Sequence, residues 1–129
     1  MSDTIPPTVP TVSDSMALTV PVYIKFDDFT KVDIRVGKVL SAEPVPKSKK
    51  LLKLEIDFGT IGKRVILAGV AKNYTVEQIV GLKVAAVVNL EPREMMGTVS
   101  HGMLLAGHGE GDSIHLVTCP DVSVGGGLG

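Results

Sequence analysis

Thr75-Val76-Glu77-Gln78-Ile79-Val80 runs into Gly81 and stands between two apolar runs, Arg64-Val65-Ile66-Leu67-Ala68 and Lys83 to Leu90. The hexapeptide reads as a short helix, with Thr75 or Asn73 as its N-cap and Gly81 as its stop. The runs on either side read as strands. The first is β-branched and short. The second is nearly continuously apolar, as in a strand covered on both sides. Upstream, Lys31 to Leu40 alternates polar and apolar residues, the period of a half-buried strand, and Pro44 and Pro46 end it. Leu52 to Phe58 alternates again and meets a turn at Gly59 to Gly62. Downstream, Met103 to Ala106 makes a fifth strand and Ile114 to Cys119 a short sixth. Short strands in succession, with one small helix between the third and fourth, predict an all-β chain: a five-stranded Greek-key barrel of the OB type with a C-terminal extension. An SH3-like barrel would lack that helix. No internal repeat is visible.

The ends read differently. Over residues 1–22, Pro6, Pro7, Pro10 and Pro21 alternate with Ser, Thr and Asp without a sustained apolar period. Such composition predicts a disordered tail. The folded domain is expected over residues 23–123, and the Gly-rich residues 124–129 as a second flexible tail. The initial Met and the tail favour a free-standing protein over a segment of a larger enzyme.

Composition narrows the chemistry. The 129 residues suit one domain, and aromatic content of only 4% predicts an aliphatic core. With 13 basic and 14 acidic residues, global charge does not announce a nucleic-acid binder, though a local basic face creates a local potential. The single Cys119 allows no disulfide within the chain and no CxxC metal pair, which suits a reducing, cytoplasmic setting. No apolar run approaches the ~20 residues of a membrane span. His101, His108 and His115 lie at seven-residue intervals, which alternate faces on strands and make no metal-ligand pair. Phosphate loops of the GxxxxGK[ST] and GxGxxG types are absent. Nothing here asks for a cofactor or a metal.

The most particular loop runs from Asn89 to Ala106. Gly97-x-x-Ser100-x-Gly102 superficially resembles a nucleophile elbow, but Thr98 stands where GxSxG needs Gly and no helix follows. Ser100 is therefore read as a hydrogen-bonding group at a strand entry. Asn89 and Arg93 bracket the end of the fourth strand; both can bond bases or phosphates, or close a turn. Met95, Met96 and Met103 are adaptable contacts for a base or a partner, or core filler. Lys47-Ser48-Lys49-Lys50, extended by Lys53, is the strongest local charge feature and falls in the loop between the first two strands. It reads as phosphate contact or as a solvated loop that keeps the sheet soluble. Lys31 and Arg35 share a strand face with Asp33, so a face of internal ion pairs is the competing reading there.

These residues together resemble the tRNA-binding domain family, found in bacterial methionyl-tRNA synthetases, in free-standing structure-specific tRNA-binding proteins and in cytokine-like synthetase-associated proteins. The likeness runs through Tyr23 to Val39, Lys50 to Leu54, Ala68-Gly69-Val70-Ala71 with Tyr74, Asn89-Leu90-x-Pro92-Arg93, and Met96-Gly97-x-x-Ser100-x-Gly102-Met103-Leu104-Leu105-Ala106. It implies an OB-fold that binds tRNA by shape at the outer corner of the L, a homodimer, a synthetase partner, and no active site. The matching contact positions are Lys31, Arg35, Lys50, Lys53, Asn89, Arg93, Ser100, Gly102 and Met103, with Lys49 added from the lysine run. Glu94 and Ala68 depart from the family, which often has Lys and Ser there. A related secretion-chaperone-like branch binds polypeptide. It gives the alternative expectation, a dimeric protein-interaction module or synthetase-complex scaffold. Leu51-Leu52-Lys53-Leu54 and Ser100-His101-Gly102-Met103 place this chain nearer the tRNA-binding branch.

Overall fold

The computed structural model describes residues 22–129, so the tail expected over residues 1–22 falls, but for Val22, outside them. The chain divides into two units, residues 1–31 and 32–129. In the first, α1 (Phe26–Phe29) is a single helical turn. Four residues carry no helical period, so this turn leaves no mark in the sequence. Tyr23, Ile24 and Phe26 around it are exposed.

The second unit is the OB barrel. Its main sheet contains β1 (Ile34–Pro44), β2 (Leu52–Asp57), β3 (Lys63–Ala68), β4 (Lys83–Val87) and β7 (Met103–Leu104), all antiparallel, in the order β3-β2-β1-β4-β7. β1 belongs to both halves: Ile34 to Lys38 pair with β4, and Lys38 to Pro44 with β2. It turns between them by a register shift between Val39 and Ser41, the effect of one extra residue in a ladder. Gly37 stands just before the turn. A Cβ there would come within 2.5 Å of both Ile56 and Phe58, so only glycine lets the strands approach this closely.

Alternation in β2 is as expected: Leu52, Leu54 and Ile56 are buried, while Glu55 is exposed. The core is aliphatic, built from Val39, Leu54, Ile56, Ile66, Val84 and Val88 around the buried Phe58. α2 (Val76–Ile79) lies between β3 and β4. Its N-cap is Thr75, whose Oγ1 accepts the Gln78 N–H at 3.1 Å while Gln78 Oε1 accepts the Thr75 N–H at 2.9 Å. This reciprocal capping box starts a helix too short to stand on propensity. Its one buried residue, Ile79, packs into the core.

The region after β4 is richer than the sequence suggested. β5 (Arg93–Met95) and β6 (Thr98–Ser100) form a hairpin within the stretch whose sequence pattern is that of a loop. β8 (Ala106–His108) and β9 (Ile114–Leu116) form a second hairpin in the extension. The Gly-rich end is not a free tail. β10 (Gly127–Leu128) pairs with Ile34 and Arg35, and Val36 exchanges hydrogen bonds with Gly125 and Gly126 at 2.7 and 2.9 Å. Composition pointed to flexibility there, but β1 offered an open edge along Ile34 to Val36 before β2 begins, and unpaired buried amides favour any backbone that can reach them.

Candidate nucleic-acid interface

Barrel closure positions most of the predicted contacts. The Leu67 N–H donates to Ser100 Oγ at 3.0 Å, and the His101 N–H to Val65 O at 2.8 Å, so β6 is laid against the free edge of β3. Ser100 is 4% exposed, and its hydroxyl also donates to Gly102 O at 3.3 Å. Gly102 has φ of +138°, with Val87 O 2.9 Å from where a Cβ would stand. Both residues thus have structural work that fixes their identity: one clasps the barrel, the other permits the crossing. Met103, next in line, is 48% exposed and pairs with Val87.

The hairpin sorts Arg93 from Glu94. Arg93 stands opposite Ser100 and Glu94 opposite Val99. Neighbouring strand residues point to opposite faces, so Glu94 lies on the face away from Arg93. The two-residue turn has positive φ at Met96 (52°) and Gly97 (81°), the backbone of a type I′ hairpin.

Arg35 and Asn89 converge. Arg35 Nε donates to Asp33 Oδ1 at 2.9 Å, and the Asp33 N–H donates to Asn89 Oδ1 at 2.8 Å. The Asp33 carbonyl accepts the Val88 N–H at 2.8 Å, tying the start of β1 to the end of β4. Arg64, absent from the expected contact positions, completes this end. It pairs with Ile56, shares the inward parity of Ile66, and donates from Nη1 to Val88 O. Its parity on the third strand was the signal that could have found it.

The lysines lie at the other end of β3. Lys49 and Lys50 are exposed in the loop between β1 and β2. Ser48 Oγ accepts the N–H groups of Lys50 and Leu51 at 3.2 and 3.1 Å, a side-chain-closed turn that shapes the loop. The Ala71 N–H donates to Lys50 O at 2.9 Å. From Arg64 to Ala68 is about 13 Å along the strand, so the two ends lie within reach of one stretch of nucleic-acid backbone.

Charge is unevenly partnered along this track. Lys53 Nζ lies 3.9 Å from Glu43, Arg35 is bonded to Asp33, and in the first unit Lys31 lies 3.5 Å from Asp28. Among the described residues no carboxylate comes within 4 Å of Lys47, Lys49, Lys50 or Lys72. The loop that is the strongest charge feature in the sequence thus keeps its exposed lysines without ion pairs among the described residues. In the unit of residues 32–129 Phe58 is buried and Tyr74 half-buried, so no exposed Phe, Tyr or Trp offers a stacking platform there; the exposed rings are the imidazoles of His101, His108 and His115. No set of three or more metal-ligating side chains occurs among the described residues, and no helix among them is long and apolar enough to cross a membrane.

An OB barrel with a lysine-bearing loop after its first strand and a polar loop after its fourth belongs to a class whose ligands lie across the second and third strands and those loops. The "Putative tRNA binding domain" family model matches residues 34–126, and the chain belongs to that family. It is 50% identical over 102 residues to a methionine–tRNA ligase of Protochlamydia amoebophila, covering 79% of this chain and 14% of that protein. It is 53% identical over 95 residues to that of Thermotoga maritima, covering 74% and 15%. The chain thus spans about a seventh of these relatives' length. Among solved structures it resembles a MetRS-related protein from Pyrococcus horikoshii, with TM-score 0.78, 36% identity, and coverage of 84% of this chain and 99% of that one. It also resembles the chaperone CsaA of Bacillus anthracis, with TM-score 0.76, 31% identity, and coverage of 84% and 100%.

Proposed function

We propose that this chain is a non-catalytic module that binds tRNA by shape, at the outer corner of the L, and so assists a methionyl-type aminoacyl-tRNA synthetase, as part of it or as a free-standing helper. The observation that carries this reading is the family match from Ile34 to Gly126, which spans β1 to β9. The geometry supports it in kind. With no exposed Phe, Tyr or Trp on the barrel, recognition falls mainly to lysines and polar groups that track a sugar–phosphate backbone. A module that adds a weak hold on tRNA raises a synthetase's effective affinity without any chemistry of its own.

The contact set in this reading is Lys49, Lys50, Lys53, Arg35, Asn89, Arg93 and Met103; Lys31, which the resemblance also implies, belongs to the first unit. Ser100 and Gly102 shape the wall. A homodimer fits the exposed Tyr23, Ile24 and Phe26, since such side chains favour burial against a second copy. A cytoplasmic setting fits the single Cys119. Titration with bulk tRNA over a range of salt tests binding, and light scattering after size exclusion tests the dimer.

A second reading has its own support. The chaperone CsaA is matched nearly as well in structure as the MetRS-related protein. In that reading the chain is a dimeric protein-interaction module. It holds unfolded polypeptide or scaffolds a synthetase complex, and tRNA affinity is absent at low salt.

A further inference from the structure

Lys50, Lys72, Asn73, His108 and Asp112 line one cleft of 270 Å³, although they come from three separate segments of the chain. Lys50 ends the loop between β1 and β2, Lys72 and Asn73 lie in the turn before α2, and His108 and Asp112 belong to the β8–β9 hairpin. Hydrogen bonds hold the segments together. The Ala71 N–H donates to Lys50 O at 2.9 Å, joining loop to turn. The Leu116 N–H donates to Tyr74 Oη at 2.9 Å, joining turn to hairpin. The hairpin tip is closed by the Gly109 N–H to Ser113 O at 3.0 Å. The backbone segments that carry these side chains are thereby held next to one another before any ligand arrives.

We infer that this cleft is a phosphodiester subsite, which carries the RNA track off the barrel groove and onto the C-terminal extension. Two ammonium groups, an imidazole and a carboxamide face one concavity, and all can donate to phosphate oxygens. Among the described residues neither lysine has a carboxylate within 4 Å. Asp112 is the one carboxylate in the lining and opposes the anion. The β8–β9 hairpin would thereby be part of the interface, and Lys72 and His108 would be contact residues alongside Lys50. The inference rests on the tRNA reading above.

The test is titration of the full chain with bulk tRNA between 0.05 and about 0.3 M salt, comparing the parent with Lys72→Ala, His108→Ala and Asp112→Asn. All three positions are exposed, and circular dichroism confirms that each variant is folded. Lys72→Ala is expected to weaken binding about fivefold at 0.1 M salt and to lower the salt slope by about one. His108→Ala weakens it less, and Asp112→Asn tightens it, an effect that loss of structure would not produce. If the parent binds and all three variants match it in affinity and slope, the cleft is not a subsite while the tRNA reading stands. If the parent itself does not bind, both fall.

Discussion

The hydroxyl of Ser100 accepts the N–H of Leu67 at 3.0 Å, from a position only 4% exposed. That bond joins β6 to the edge of β3, which would otherwise face solvent as an open strand. Ser100→Ala leaves the Leu67 N–H buried and without its partner, at a cost of about 1–3 kcal/mol. Urea unfolding should show a lower midpoint at unchanged slope. An unchanged midpoint would mean that the clasp contributes nothing.

The Gly-rich end is predicted to be structural. Deleting residues 125–129 strips the N–H and C=O of Val36, a fully buried residue, of their partners Gly126 and Gly125. The truncated chain should lose roughly 2 kcal/mol or more of stability, and the amide of Val36 should lose protection from hydrogen exchange. A free tail would leave both measurements as they were.

Met96 occupies a left-handed backbone position, φ 52°, which costs an ordinary side chain about 1–2 kcal/mol. Met96→Asn, with Gly97 kept, supplies the residue pair that type I′ turns favour. The variant should unfold at higher temperature than the parent. A lower melting temperature would show that the thioether contacts something worth more than the turn.

Lys50 and Lys53 are separated by their neighbours. Lys53 shares its charge with Glu43 at 3.9 Å, whereas Lys50 has no carboxylate within 4 Å among the described residues. Lys50→Ala should reduce the salt slope of tRNA binding by about one, with a smaller effect from Lys53→Ala. Glu43→Gln, which releases Lys53, should tighten binding. Equal effects from the two lysines would mean that the ion pair does not persist in solution.

The fold was legible where side-chain pattern and backbone pairing agree. The alternation of Leu52, Leu54 and Ile56, the short helix between an N-cap at Thr75 or Asn73 and a stop at Gly81, and the apolar fourth strand each announce one local geometry. Legibility failed where pairing is decided at a distance. Arg93 to Ser100 is too short and mixed to show a strand period, and it becomes a hairpin because β3 offers an edge. Gly127 and Leu128 become a strand for the same reason at β1. The site divides likewise. The lysine loop was visible as local charge, but its lack of partners, the burial of Ser100, the opposite facing of Arg93 and Glu94, and the inward turn of Arg64 all depend on which strands meet.

The central claim, that the chain holds tRNA through phosphate contacts centred on the lysine loop, is tested most directly by titrating bulk tRNA against the parent and a Lys49→Ala, Lys50→Ala double variant over a range of salt. The account predicts affinity that falls steeply with salt in the parent, and in the double variant a slope lower by about two with weakening across tRNA species alike. No binding at low salt, or binding indifferent to these two lysines, would contradict it.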